Sequence, residues 1–228
     1  MNNKTIPRRF NISSAEMALI VTVIIGVLVN SSQFATVDNA YNIVRQFVTN
    51  AIIALGMAFV IISGSIDLSV SSVMVMGAFL AMRFVHISLA LAILVPLAFG
   101  VLIGAINATL ITKVNFPPMM ATYSTQMLVK GIVLVLTGGS TYKPLVSHEA
   151  FSYLGFGDIF GVIPFSLAFF VVIFVICFFS IKRIPLVRNV YAVGGNEEAA
   201  RMMGVNVVRT KFVAHIICSV LATIAGIN

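Results

Sequence analysis

Charge is what this sequence lacks. Asp, Glu, Lys and Arg make up only 9% of its 228 residues, against about 25% in an ordinary soluble domain. So few charges cannot cover a water-exposed surface. The mean hydropathy of +1.08 says the same, and water-soluble classes are excluded. There is no tryptophan and there are only two cysteines. Cys177 and Cys218 both lie inside apolar runs, where a thiol acts as a small packing residue rather than half of a disulfide or metal pair. His86, His148 and His215 are isolated and show no ligand spacing. No lysine follows a glycine, so the G-x-x-x-x-G-K loop that cradles phosphates is missing. By that route the chain cannot use ATP, and active work would need a partner. No Ser-His-Asp or Cys-His arrangement is suggested by position. The chain reads as a non-enzyme without cofactors. Its net charge of +7 comes from basic residues scattered at the edges of apolar runs, without aromatic-basic clusters, so nucleic acid is not an expected partner.

Long apolar runs are what is there, and the lipid bilayer is the implied surroundings. A spanning helix needs roughly 20 largely apolar residues. Seven stretches qualify as candidates: 15–34, 47–63, 68–84, 88–112, 119–137, 164–181 and 211–228. The predicted fold is an all-α polytopic transmembrane helix bundle, a single domain over 1–228. The second and third stretches can be joined by a break rather than a true loop. The seventh is cut short at residue 228, so a C-terminally incomplete domain is expected. Lys4, Arg8 and Arg9 before the apolar run 17–29 mimic a secretory signal; with several spans following, a retained first helix is the better reading.

Basic residues orient the bundle, because cytoplasmic loops carry the excess of Lys and Arg. With residues 1–14 as a cytoplasmic tail, alternation places Lys4, Arg8, Arg9, Lys113, Lys182, Arg183, Arg188, Arg201, Arg209 and Lys211 inside. It places Arg45, Arg83 and Lys143 outside. Ten against three is a decisive bias. The loop 182–210 then faces the cytoplasm, and 138–163 is an extracytoplasmic connection with room for a short interfacial helix. Tyr142, Tyr153 and nearby phenylalanines suit an aromatic belt. That connection is either a linker or part of a docking surface.

The cytoplasmic loop holds the most distinctive segment, RNVYAVGGNEEAARMMGVNVVRTK at 188–211. Gly194 and Gly195 are expected to break the chain. Asn196 can cap a following helix, Glu197 and Glu198 suit its first turn, and Gly204 suits its C′ position. A helix of about eight residues is below the ~12–15 needed for marginal stability alone, so something must hold it. An ordinary loop and a gripped docking element both fit.

GGNEEAARMMGV resembles the cytoplasmic coupling loop of permease subunits from bacterial ABC importers of the ribose and simple-sugar type. Glu198, Ala199, Ala200 and Gly204 reproduce an E-A-A-x-x-x-G element. VIISGSIDLSVSSVM at 60–74 resembles that family's I-S-G-G-I-D-L-S-V-G-S signature, with Ser65 and Ser71 in place of glycines. FPPMMATYSTQMLVKGIVLVLTGGS at 116–140 resembles its P-P-F-I-A-T-L-G-T segment and the basic-Gly and T-G-G-S elements after it. The likeness covers about 47–228. It implies a permease in the bacterial cell membrane that translocates a monosaccharide or similar small polar solute. The implied partners are an ABC ATPase subunit gripping Gly194, Gly195, Asn196, Glu197, Glu198, Ala199, Ala200 and Gly204, an extracytoplasmic solute-binding protein, and a second permease copy, identical or not. Family members run on for further spans. A truncated, non-transporting or regulatory copy is therefore the rival reading, with a free-standing secondary carrier behind it.

Candidates for the solute path are Asp67, Thr122, Ser124, Gln126 and Lys130. A carboxylate at the bilayer centre costs about 2.5–3.5 kcal/mol on insertion scales, so Asp67 should cap the next helix or face a polar cavity. Lys130 lies about 11 residues into its span, roughly 16 Å at 1.5 Å per residue. The polar run before it should face protein or water, either as interhelical hydrogen bonds or as the lining of a conduit. Pro117 and Pro118 should break or start a helix. Gly100, Gly104 and Ala108 are spaced for close helix packing, with Asn107 able to bond across that contact.

Overall fold

A computed structural model describes residues 13–140, 149–161 and 163–228. Lys4, Arg8, Arg9, Tyr142, Lys143 and His148 lie outside the described residues. The chain divides into two compact units, one running through Ile43 and the other Val44–Asn228.

The first unit holds α1 (Ser14–Phe34). Ser13 and Glu16 close a reciprocal capping box at its start, the Ser13 N–H donating to Glu16 Oε2 at 2.8 Å. The next helix, α2 (Val37–Ile62), begins well before the expected residue 47. Thr36 Oγ1 accepts from the Asn39 N–H at 3.2 Å and starts it early. Asp38 then sits in its first turn, where an acid favours the helix dipole. Hydropathy does not register these polar first turns.

The second unit is a helix bundle. α3 (Val70–Phe84) and α4 (Leu89–Thr112) follow α2. α5 (Pro118–Thr137) starts on Pro118, whose missing N–H is an orphan at this position anyway. α6 (Glu149–Phe156) and a two-residue antiparallel pair, β1 (Asp158–Ile159) with β2 (Ile163–Pro164), fill the described part of the 138–163 connection. α7 (Phe165–Arg183), α8 (Pro185–Gly195), α9 (Glu197–Met202) and α10 (Val207–Ile227) complete the described chain.

Among the described residues, α1, α2, α4, α5, α7 and α10 are long and apolar enough to cross a membrane. The third expected span is only 15 residues long as α3, about 22 Å at 1.5 Å per residue, against a hydrocarbon core of about 30 Å. The missing length is taken by residues 63–69, which are not helical. Their side chains alternate in and out as extended backbone does. Ser63, Ser65, Asp67 and Ser69 are all buried.

α10 is the hub. Half of its span is buried, against 28% or less for the other spans. Its closest packing is with α3 and α4. The spaced glycines of α4 do what their spacing predicts: a Cβ on Gly104 would stand 2.6 Å from Ile216 Cα, and one on Gly100 2.9 Å from the Ser219 carbonyl oxygen. Asn107 does not bond across that contact; its Nδ2 donates instead to Ser69 Oγ at 2.9 Å. Cys177 and Cys218 are free, buried packing residues.

Helix contact at Gly104 gives a direct test. Gly104→Ala places a methyl group against backbone that cannot turn aside, and overpacking of this kind costs about 1–3 kcal/mol. Gly131→Ala on α5 meets nothing within 4 Å and should be neutral or gain up to about 1 kcal/mol of helix propensity. Unfolding midpoints in detergent should fall clearly for the first variant and not for the second. Equal midpoints would contradict the tight α4–α10 contact.

Candidate coupling site and solute path

The segment after α7 is a pair of short helices with a defined corner. α8 turns its Val187, Val190 and Val193 inward. Gly194 and Gly195 do not break the chain, as their composition suggests; they form the last turn of α8. Gly194 is glycine because of proximity: a Cβ there would fall onto the Ile62 carbonyl oxygen. Gly195 has open space around it. The corner itself is Asn196, extended at φ −161°. Its Oδ1 accepts from the Ala199 N–H at 2.9 Å and caps α9.

α9 is six residues long rather than about eight, so its stability must come from its attachments. It ends in a Schellman motif, with the Gly204 N–H on the Arg201 carbonyl and the Val205 N–H on the Ala200 carbonyl. Gly204 holds φ +83°, a backbone shape that a side chain would strain. Ala200 is fully buried in a small cluster with Val193 and Val207. Glu197 Oε2 receives Lys211 Nζ of α10 at 2.7 Å, with Lys211 only 14% exposed, and Arg201 adds a second contact at 3.4 Å. Glu198 and Ala199 face solvent. So do Met202 and Met203, at 90% and 73% exposure. The sequence motif did not single out these two methionines, although their place beside Gly204 in a six-residue helix would have shown that they have little of their own to pack on.

Beneath this corner lies a buried polar network that the sequence did not reveal. His215 Nδ1 stands 3.4 Å from Asp67 Oδ2, and its Nε2 stands 3.1 Å from Ser65 Oγ. Both side chains of the Asp67–His215 pair are 0% exposed. With Asp67 as a carboxylate, which only accepts, the ring proton belongs on Nδ1 and Nε2 accepts from the Ser65 hydroxyl. Asp67 Oδ1 takes two more donors, the Ser69 N–H at 2.9 Å and Ser69 Oγ at 2.6 Å. Ser69 Oγ in turn accepts from Asn107. Asp67 thus holds the start of α3 and is tied to α10 as well. The Ser65–His215–Asp67 contacts follow the order of a hydrolase relay, but all three residues are sealed, at 3% exposure or less. What they do here is cross-link the non-helical linker to α10. Removing one member leaves the other buried without its partner, which costs about 1–3 kcal/mol or more. His215 was dismissed as isolated because its partner is 148 positions away.

The expected path residues separate into two groups. Thr122 is fully buried; its Oγ1 accepts from the Leu68 N–H and donates to the Pro118 carbonyl, so it packs α5 against the linker. Asp67 is buried likewise. Ser124 is exposed and donates to its own helix at the Met120 carbonyl. Gln126 and Lys130, by contrast, line a cavity of about 320 Å³ together with Ser71, Ser72, Thr137 and Ser140. Gln126 Nε2 donates to Ser71 Oγ at 3.1 Å across it. The polar run of α5 is therefore divided between interhelical bonding and the lining of an open cavity.

The chain is 35% identical to the ribose import permease protein of Haemophilus influenzae over 215 residues, covering 92% of this chain and 66% of that protein. It is 35% identical over 212 residues to the ribose import permease protein of Bacillus subtilis, covering 92% of this chain and 65% of that one. The L-arabinose transport system permease protein of Escherichia coli is 30% identical over 202 residues, covering 85% and 59%. The chain thus spans about two thirds or less of the length of these relatives. No solved structure matches it. Six helices among the described residues that are long and apolar enough to span, together with the permease relatives, make this a multi-pass protein of the bacterial cell membrane. A family model described as the branched-chain amino acid transport system / permease component matches residues 39–228, and the chain belongs to that family.

Proposed function

We propose that this chain is the membrane-spanning subunit of an ABC importer that moves a monosaccharide or similar small polar solute, driven by ATP hydrolysed on a partner. The observation that carries the reading is α9. A six-residue helix is held at one end by the Asn196 cap and at the other by the Gly204 turn. It is fastened to α10 through Glu197 and Lys211. Glu198, Met202 and Met203 are left free to meet something else. Flexible, polarisable methionines suit a protein contact. The relatives named for ribose and L-arabinose favour a sugar.

In this reading an ABC ATPase subunit docks on α9, and a second permease copy completes the pathway. A solute-binding protein delivers the solute from outside. Its seat includes the β1–β2 corner, which Arg45 steadies through the Phe156 carbonyl at 2.9 Å and Asp158 at 3.7 Å, and where Phe160 is 95% exposed. The cavity with Ser71, Gln126 and Lys130 is part of the path. One side of it, Ser71, Gln126 and Lys130, offers donors and acceptors to a hydroxyl-rich solute, and Val75, Val133 and Leu134 give it an apolar side. ATP binding draws the ATPases together, and α9 passes the displacement to the spans, exposing the path to either side in turn.

Three measurements test this. Cysteines placed at positions 3 and 195 should resist an impermeant thiol reagent applied to intact cells and react after permeabilisation; Gly195 has open space for the substitution. Labelling of either from outside would reverse the topology. Glu198→Lys and Gly204→Val should each reduce recovery of the ATPase in detergent at least about fivefold, since a side chain in the left-handed region costs about 1–3 kcal/mol. Both should still insert, because the spans keep their apolar content. Unchanged recovery and unchanged uptake in both would remove α9 from the coupling role. Purified and freed of ATPase, the chain should not hydrolyse nucleotide; activity that survives this removal would contradict the division of labour.

A further inference from the structure

Through Asp67 the buried Asp67–His215 pair satisfies the Ser69 N–H of the linker, and its position on α10 gives it a second use. Lys211 and His215 are four residues apart on α10 and so lie one above the other on one face. Lys211 holds Glu197 of α9 at 2.7 Å. One turn deeper, His215 holds Asp67 at 3.4 Å and Ser65 at 3.1 Å. Asp67 holds Ser69 at the start of α3, and Ser69 holds Asn107 of α4. Two residues on, Ser71 faces the cavity and takes the bond from Gln126. α9 is thereby joined to the cavity wall by polar contacts that one turn of α10 and the start of α3 connect. The same linker is met at its other end by α8, where Gly194 lies against Ile62.

We propose that Asp67 and His215 are positioning residues that carry the displacement of α9 through α10 into α3, and so set when the Ser71–Gln126 side of the cavity opens. This rests on the importer reading above. Directed polar contacts suit the task because each has two discrete states, made or broken, whereas an apolar contact slides. The linker is the natural element to move. Its helical hydrogen bonds are at its two ends, the Ser63 N–H on the Phe59 carbonyl and the Val73 N–H on the Ser69 carbonyl, and its inward side chains are all Ser or Asp.

The test is a double-mutant cycle in proteoliposomes holding the full transporter, its ATPase and its binding protein, with solute imported per ATP hydrolysed as the readout. Asp67→Asn keeps the shape and the acceptor for Ser69 but weakens the tie to His215. Glu197→Gln weakens the tie to Lys211. Each should lower the ratio about five- to tenfold, with Asp67→Asn still capturing the ATPase to within about twofold of wild type. The double variant should be no worse than the weaker single, because both changes interrupt one series. His215→Gln takes the place of Asp67→Asn in the cycle if the latter fails to insert. A double variant whose loss is the product of the two single losses, or an unchanged ratio with the Asp67–His215 tie removed, overturns the proposal. Wild type that neither captures an ATPase nor takes up solute fails the importer reading instead.

Discussion

The non-helical linker between α2 and α3 is the constraint on which the rest of the structure depends. Backbone outside a helix has no ladder to satisfy its polar groups, and within a membrane protein it survives only where protein supplies the partners. Here the supply comes from three directions. Asp67 and the Thr122 hydroxyl take the Ser69 and Leu68 N–H groups. The Ser65 N–H bonds the Val60 carbonyl. His215 reaches in from α10 to hold Ser65 and Asp67 together. The close α4–α10 contact at Gly104 follows from this, because α10 must come near enough to the bundle axis for His215 to reach.

Much of this was legible in the sequence, and the rest was not, for a physical reason that differs case by case. Lipid imposes a length and a composition on each span, so the long apolar helices and their order could be read directly. Caps are local, so Asn196 and Gly204 announced α9 within a few residues of its true ends. The glycine spacing of α4 announced a close contact without naming the partner. α3 starts at Val70, two residues after the expected 68, because Leu68 and Ser69 belong to the non-helical linker, and hydropathy does not mark where a helix begins. Gly194 was read as a breaker because its actual neighbour, Ile62, is more than a hundred positions away. His215 and Asp67 were invisible as a pair for the same reason: a contact between distant positions leaves no periodic trace.

The candidate site shows the same division. The candidate coupling corner is a contiguous motif, so its cap and its turn are visible in the sequence. The path residues were chosen by polarity alone, and polarity does not tell a lining residue from an interhelical bond. The fold separates them, with Thr122 bonding inward at 0% exposure and Gln126 and Lys130 turned to the cavity on the same helix. Spacing does not carry the distinction: positions 122 and 126 share a helix face, and the linker covers only the first.

The central claim is that the linker moves when the coupling helix does. Amide hydrogen exchange at Ser69, whose N–H is held by Asp67, reads that motion most directly in the assembled transporter. Closing the ATPase pair with a non-hydrolysable nucleotide should change the Ser69 exchange rate by about tenfold or more in wild type and leave it unchanged in His215→Gln. An exchange rate at Ser69 that ignores the nucleotide in wild type, while α9 itself responds, would contradict the account.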